Sequence, residues 1–391
     1  MPQTISLLEK LVNINSGSMN VAGVHASGEL VRAELDKLGF ATQWITMPDS
    51  VKNAGHLVAT IKGKKGKKLL LLGHLDTVFE PDMPPNPYRV IDDSTATGQG
   101  ILDDKGGVVV MLAALQAMAK AGTLKDNTIT VYLTGDEELG GIPVNATRSD
   151  MIERAKQHDI ALNFEAGTLD KVTTGRRGAD TYILKTYGKQ AHSSGVFSER
   201  GGYGAVYEAT RILDSFRTVI PQIPYLTSNP GTIAGGTTLI DSSDHFTVYG
   251  KDNIIASSAA VLGDLRFLGE QQRRDARILL KAIVDSSHLP GTNAEILFLD
   301  GIPSMEPTPA NKQLAAMFGQ VNADMNLGPL TELDPMLRGA GDISFIASYV
   351  SSLDGMGASG KGSHAPGETI NIKELPLLIQ RAGIYMYRLT K

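Results

Sequence analysis

The sequence predicts an α/β protein: a mixed, mostly parallel sheet with helices on both faces, interrupted by an inserted ferredoxin-like α+β unit. Three observations carry this. Apolar runs of strand length alternate with helix-period segments through residue 178, the signature of a largely parallel sheet. From Ala179 the pattern changes to alternating strands and two helices in the order β-α-β-β-α-β. From residue 303 the first pattern resumes, so residues 1–178 and 303–391 form one domain and 179–302 an insertion within it.

Taken in order, "MPQTISLLEKLVNI" has the spacing of an amphipathic helix, with Glu9 and Lys10 on its polar side. In "SGELVRAELDKLGF", Val31, Leu35 and Leu38 recur at helical spacing and Gly39 supplies the stop. "HLVATIKG" and "KKLLLLGHLDTV" read as strands joined by the Lys-Gly-rich stretch 62–68, a solvated hairpin turn. Leu69–Leu72 is too short for a helix and suits a strand buried on both faces. Val108–Lys120 is an apolar helix, and "TITVYLTGDEELGG" and "DIALNFEAG" are strands ending in acids. In the insertion, "DTYILKTYG", "SSAAVLGDLRFLG" and "NAEILFL" are strands, with a further extended piece between 229 and 250. "GYGAVYEATRILDSFR" and "EQQRRDARILLKAIVDSS" are its helices. "SFIASYV" and "ELPLLIQRAGIYMYRL" return helix and strand to the first domain.

Composition narrows the function. With 391 residues, 42% hydrophobic and 20% charged, the chain has the make-up of a two-domain globular protein. A net charge of −5 gives no electrostatic footprint for nucleic acid. No run approaches the about 18 apolar residues of a membrane span, and the N-terminus is not patterned as a signal peptide. A cytoplasmic location is the simplest expectation, or a periplasmic one if a leader has been removed. Cysteine is absent, so a thiolate nucleophile, a disulfide and a cysteine-held metal are excluded.

Three strand tips carry polar groups: His74 with Asp76, then Asp136-Glu137-Glu138, then Glu165. A fourth set, Asp103-Asp104-Lys105-Gly106-Gly107, precedes the apolar helix. Each alone is as well explained by a strand cap, a solvated turn or a helix N-terminus. In a doubly wound sheet the carboxyl ends of the parallel strands lie along one edge, where ligands bind, so these sets can converge. Several carboxylates converging there repel one another unless a positive charge sits among them. With histidine nearby, the economical cation is a divalent metal: zinc, with cobalt or manganese as alternatives.

The segments "GHLDTV", "GQGILDDKGG", "TGDEELGG", "NFEAG" and "GSHAPGE" resemble, in order, the motifs of the zinc-dependent aminoacylase/carboxypeptidase family of metallopeptidases, the glutamate carboxypeptidase branch most of all. The resemblance implies two metal ions sharing Asp103, with His74 and Glu165 completing one site and Glu138 and His364 the other. It implies Glu137 as general base, Asp76 as the carboxylate orienting His74, and a cis peptide between Asp103 and Asp104. It makes the insertion a lid and dimerisation domain, with His192 reaching the partner subunit's site to stabilise the oxyanion. Asn253 and Arg266 match residues that hold a substrate carboxylate, a task suited to the guanidinium fork. His25, His56, His158, His245 and His288 are read as structural or surface residues.

The match departs from the branch at the substrate end. Ala256 replaces a proline, the segment before Asn253 is longer, and Ile302 stands where the branch has an arginine that recognises glutamate. An apolar side chain cannot pair a γ-carboxylate; Arg338 and Lys361 are the nearest replacement charges in sequence. The expected activity is removal of a C-terminal amino acid with a free carboxylate from a peptide or N-acyl conjugate. A deacylase of N-acyl amino acids or a dipeptidase would share every metal residue. A non-catalytic metal or peptide binder is the reading from another class, and Glu137 speaks against it, because a binder has no use for a base. A dimetal phosphoesterase fits the ligands but not the carboxylate-binding candidates.

Overall fold

The computed structural model describes residues 1–48, 50–242 and 245–391, and the chain divides into two compact units. The first comprises 1–175, 307–334 and 341–391; the second comprises 176–306 and 335–340. The sequence reading put the divisions at 178/179 and 302/303 and did not foresee the excursion at 335–340. That piece, "PMLRGA", has no periodicity of its own and is held by Arg176, whose Nη1 donates to Ala340 O at 2.8 Å.

In the first unit a six-stranded sheet runs in the order Ala41–Ile45, His56–Ile61, Asn127–Thr134, Lys65–His74, Ile160–Asn163, Ser351–Leu353. The last four are mutually parallel; His56–Ile61 runs against them, and Ala41–Ile45 pairs antiparallel with it. Leu69 to Leu72 are at most 1% exposed, each burial worth about 1.5–3 kcal/mol. Helices Lys105–Lys120 and Leu375–Thr390 pack on this strand and on each other. The N-terminal helix Pro2–Val12 buries Leu8, Leu11 and Val12, and Gly39, at φ +83°, ends the helix Val21–Lys37 one residue past its cap.

The expected hairpin across 62–68 does not form. Strand Asn127–Thr134 lies between His56–Ile61 and Lys65–His74 and pairs with both. The basic turn crosses the start of that strand, with Lys64 N and Lys65 N donating to Asp126 O at 2.7 and 2.9 Å. Asn127–Thr134 is buried almost throughout, and a strand with no solvated edge needs a ladder on each side.

The second unit is a four-stranded antiparallel sheet in the order Thr227–Gly236, Ser258–Phe267, Gly178–Gly188, Thr292–Ile302. Helices Ala205–Val219 and Glu270–Asp285 pack on it. This is the ferredoxin-like arrangement, and alternating burial along Gly178–Gly188 gives it one core face. The extended piece between 229 and 250 resolves into an edge strand with a register shift at Pro230/Thr232 and a separate hairpin, Thr238–Asp241 with Phe246–Tyr249; residues 243 and 244 lie outside the described set. Among the described residues, no helix is long and apolar enough to cross a membrane.

Glu208 ties this unit together. Its enclosed carboxylate accepts from Arg211 Nη2 (2.7 Å), Leu289 N (3.0 Å) and His288 Nδ1 (2.9 Å). Burial opposes its charge, but these donors hold it down at about 2 against an ordinary 4.5. A depressed carboxylate contributes stability above its unfolded value and loses it as the pH falls through the folded one. Unfolding of the second unit should therefore become easier between pH 4.5 and 2. Glu208→Gln should cost about 2 kcal/mol at pH 7 and flatten that acid limb, as read by thermal melts across the pH range.

Candidate metal centre

The polar strand tips converge. His74 ends its strand at the sheet's carboxyl edge, Glu137 and Glu138 follow Asn127–Thr134, and Glu165 follows Ile160–Asn163. Asp103 comes from the loop before helix Lys105–Lys120. His364 comes from the loop between the short strands Gly360–Lys361 and Thr369–Asn371. His74 Nε2 lies 2.9 Å from Asp103 Oδ1 and 3.7 Å from Glu165 Oε1. His364 Nε2 lies 3.2 Å from Asp103 Oδ2 and 3.1 Å from Glu138 Oε2. Asp103 thus presents one oxygen to each histidine.

These separations fit a shared cation. Two donors about 2.0–2.2 Å from a tetrahedral zinc lie roughly 3.3–3.6 Å apart. Potential donor atoms of His74, Asp103 and Glu138, and likewise of His74, Glu137 and Glu165, all fall within 4.8 Å of one another. Glu138 Oε1 is buried without a hydrogen-bond partner, a costly state for a carboxylate that only a cation or donor relieves. His364 is the open side of the cluster, its side chain 58% exposed, while Glu165 and Glu138 are at most 9% exposed.

Electrostatics follows the crowding. Hydrogen bonds donated to the Asp103 and Glu138 carboxylates push His364 up to about 11. Burial works against charge on His74, yet Asp103 and Asp76 hold it well above its usual range. Burial also opposes charge on Asp103, but His364 and His74 keep it far below the ordinary carboxylate range. Glu137 goes the other way: burial, and then the charge of Glu165, push it well up.

The supporting atoms explain why the loops hold. Asp76 Oδ1 accepts from Glu137 N at 3.0 Å and lies 3.4 Å from His74 Nδ1; Oδ2 accepts from Glu138 N at 3.1 Å. The Asp103–Asp104 peptide is cis, as the resemblance implies. Asp104 turns inward, fully buried, and accepts from His74 N at 3.3 Å. Glycine at 107 is a matter of space, since a Cβ there would stand 1.9 Å from Phe164 O and 2.1 Å from Asp104 Oδ1. His364 sits at φ +65°, a left-handed conformation rare outside glycine.

Sequence reasoning missed two supports. Glu368 lies four residues past His364, and its Oε1 accepts from Leu102 N (2.6 Å) and Asp103 N (2.8 Å), joining the two loops. Burial pushes Glu368 up to about 7. Its signal was present, because "GSHAPGE" ends in it. Arg148 spans Asp136 Oδ1 (2.5 Å) and Asp342 Oδ1 (2.7 Å), both buried, beneath the Glu137–Glu138 turn. Nothing local marks Arg148, which sits mid-helix 194 residues from Asp342. His56 joins this group, its Nε2 2.7 Å from Thr147 O, and is structural as read.

The remaining expected residues belong to the second unit. His192 caps a short turn, its Nδ1 2.9 Å from Ser194 Oγ, and Ser193 N donates to Asn253 O at 2.9 Å, so His192 and Asn253 are neighbours. Arg266 is the penultimate residue of strand Ser258–Phe267 and pairs with Asp264 at 2.8 Å. Ile302 pairs with Ala179 across the sheet. Of the two replacement charges, Arg338 falls in the 335–340 excursion and Lys361 in the first unit.

Fold and site together define a metallohydrolase, and comparison with known proteins gives the family. The model of peptidase family M20/M25/M40 matches residues 70–385, and the chain belongs to that family. It is 30% identical to carboxypeptidase G2 of Pseudomonas sp. (strain RS-16) over 394 residues, covering 98% of this chain and 88% of that one. In fold it is similar to a tripeptidase from Staphylococcus aureus (TM-score 0.78, 20% identity, 99% and 98% of the chains). It is likewise similar to a dinuclear metal-binding peptidase of the M20 family from Bacillus subtilis (TM-score 0.71, 12% identity, 99% and 98% of the chains).

Glu368 offers a test of the scaffold. Glu368→Ala strips the buried Leu102 N–H and the part-buried Asp103 N–H of their acceptor and should destabilise the first unit by about 2–4 kcal/mol. Glu368→Gln, which keeps an acceptor oxygen, should retain most of that stability in thermal melts.

Proposed function

We propose that this chain is a dimetal, zinc-dependent amidohydrolase that removes a C-terminal amino acid bearing a free carboxylate from a peptide or N-acyl conjugate. The observation that carries the proposal is the cluster around Asp103. His74 and Glu165 lie on one side of it, Glu138 and His364 on the other, and the raised carboxylate of Glu137 stands beside them. These residues would hold the two ions. When bound, the metal pair supplies an electrophile for the scissile carbonyl and lowers the pKa of water. Glu137 takes a proton from the attacking water as the C–O bond forms, and returns it to the amide nitrogen as the C–N bond breaks. Asp76 keeps the His74 imidazole in one tautomer and orientation.

Substrate recognition is assigned to Arg266 and Asn253 of the second unit, which would hold the α-carboxylate. The same reading makes that unit a lid through which a homodimer forms, with the partner's His192 supplying an oxyanion donor. With Ile302 in place of an arginine, glutamate is not required as the terminal residue. An N-acyl-amino-acid deacylase or dipeptidase differs from this reading only in the pocket.

Glu137→Gln should lower kcat by at least about 10²–10⁴-fold, the usual weight of a general base, while metal content by atomic absorption stays at that of the wild type. Loss of the metal along with activity would remove Glu137 from the role of base. Chelation should abolish hydrolysis and zinc or cobalt restore it. Among N-acyl-Glu, N-acyl-Leu and N-acyl-Ala, kcat/KM should vary by less than a hundredfold. A larger preference for glutamate would overturn the assignment of Ile302.

A further inference from the structure

Building on the proposed metal centre, we infer that Ser18, which lies outside all the motifs above, is a positioning residue. Its hydroxyl fixes the plane of the Asp76 carboxylate, and so the imidazole of His74 and the backbone of Glu137 and Glu138. The Ser18 hydroxyl donates to Asp76 Oδ2 at 2.6 Å, the short distance of a bond to a charged acceptor. Both groups are buried, Ser18 at 3% exposure and Asp76 at 0%.

Asp76 is fully engaged. Oδ1 accepts from Glu137 N and lies 3.4 Å from His74 Nδ1, a ring nitrogen that also sits 3.1 Å from the Asp76 main-chain O, while Oδ2 accepts from Glu138 N and Ser18. The first three partners belong to the proposed centre itself; of the four, Ser18 is the one from outside it, contributed by the N-terminal segment. The terminal torsion of aspartate is broad and two-fold, so the side chain does not set its own plane. A fixed outside donor does.

Ser18 is such a donor because its segment is anchored on both sides. Ser18 N donates to Thr77 O at 3.2 Å and Thr77 N to Ser16 O at 2.9 Å, with Gly17 bridged in parallel to Thr77. Met19 N donates to Glu80 Oε1 at 3.0 Å, and Asn15 Nδ2 to Phe79 O at 2.9 Å. Behind it, the buried Lys105 ammonium donates to Ile14 O at 2.8 Å and Gln99 O at 3.3 Å, tying the segment to the Asp103 loop. Gly17 permits the approach, since a Cβ there would stand 2.6–2.8 Å from Glu80 and Phe79. The N-terminal segment is thereby part of the centre's outer support.

The test uses the full-length chain with Ser18→Ala, Ser18→Thr and Ser18→Cys, and zinc competition against a chromophoric chelator. Carboxylates behind metal-bound histidine are worth about 10–100-fold in metal affinity. Ser18→Ala should weaken zinc by about tenfold, at the low end of that range, and lower kcat with KM within about twofold. Ser18→Thr, which keeps the hydroxyl, should restore both. Ser18→Cys keeps the volume with a weak donor and should fall with alanine; it carries the test should Ser18→Ala fail to fold. Zinc bound as tightly by Ser18→Ala or Ser18→Cys as by the wild type overturns the inference. So does Ser18→Thr damaged as badly as Ser18→Ala, which would mark a packing role. Competition needs no substrate: a wild type that binds zinc but hydrolyses no amide defeats the proposed activity and leaves the Ser18 result standing. A wild type that takes up no metal overturns both.

Discussion

Negative charge gathered at one point of a buried sheet edge is the constraint on which the rest of the catalytic unit depends. Asp103, Glu137, Glu138 and Glu165 come within reach of two imidazoles in a place where water screens little. Left to themselves, such carboxylates repel, take up protons or swing apart. Here they are prevented from swinging apart. Asp104 braces the end of the His74 strand, Asp76 seats the Glu137–Glu138 turn, Glu368 fixes Asp103, and Arg148 neutralises the acids behind the turn. The backbone is spent on holding a geometry that the side chains would not choose, which is what preorganised sites require.

Much of the scaffold serves that end from a distance. The four leucines of the central strand bury their side chains on both faces, so the strand cannot slide, and His74 and Asp76 inherit its rigidity. The small antiparallel sheet pairs Thr95–Thr97 with Thr369–Asn371, and so places the Asp103 and His364 loops side by side before any side chain contributes. The N-terminal segment, remote in sequence, closes the arrangement through Lys105 and Ser18.

How legible the site was depended on the kind of residue. His74, Asp103, Glu138 and Glu165 stood at strand tips or before the apolar helix, ambiguous one by one, and the family resemblance drew them together and added His364. Glu368 was visible in its motif but had no apparent task until its oxygen was seen to accept the amides of Leu102 and Asp103. Arg148 and Ser18 gave no local signal, because a mid-helix arginine and a loop serine are ordinary. Their importance lies in partners 194 and 58 residues away. The false hairpin at 62–68 failed for a related reason: adjacency in sequence suggested pairing, and the burial demand of Asn127–Thr134 overrode it.

The sequence by itself determined the elements, the alternation that makes one sheet mostly parallel and the other antiparallel, and the residue types able to hold a cation. Those follow from periodicity and side-chain chemistry, both local properties. Strand order, the excursion at 335–340 that joins the second unit, and the hydrogen bonds that orient each candidate ligand were decided only by tertiary structure. They arise from long-range burial and from buried polar atoms finding partners, requirements that a linear pattern does not encode.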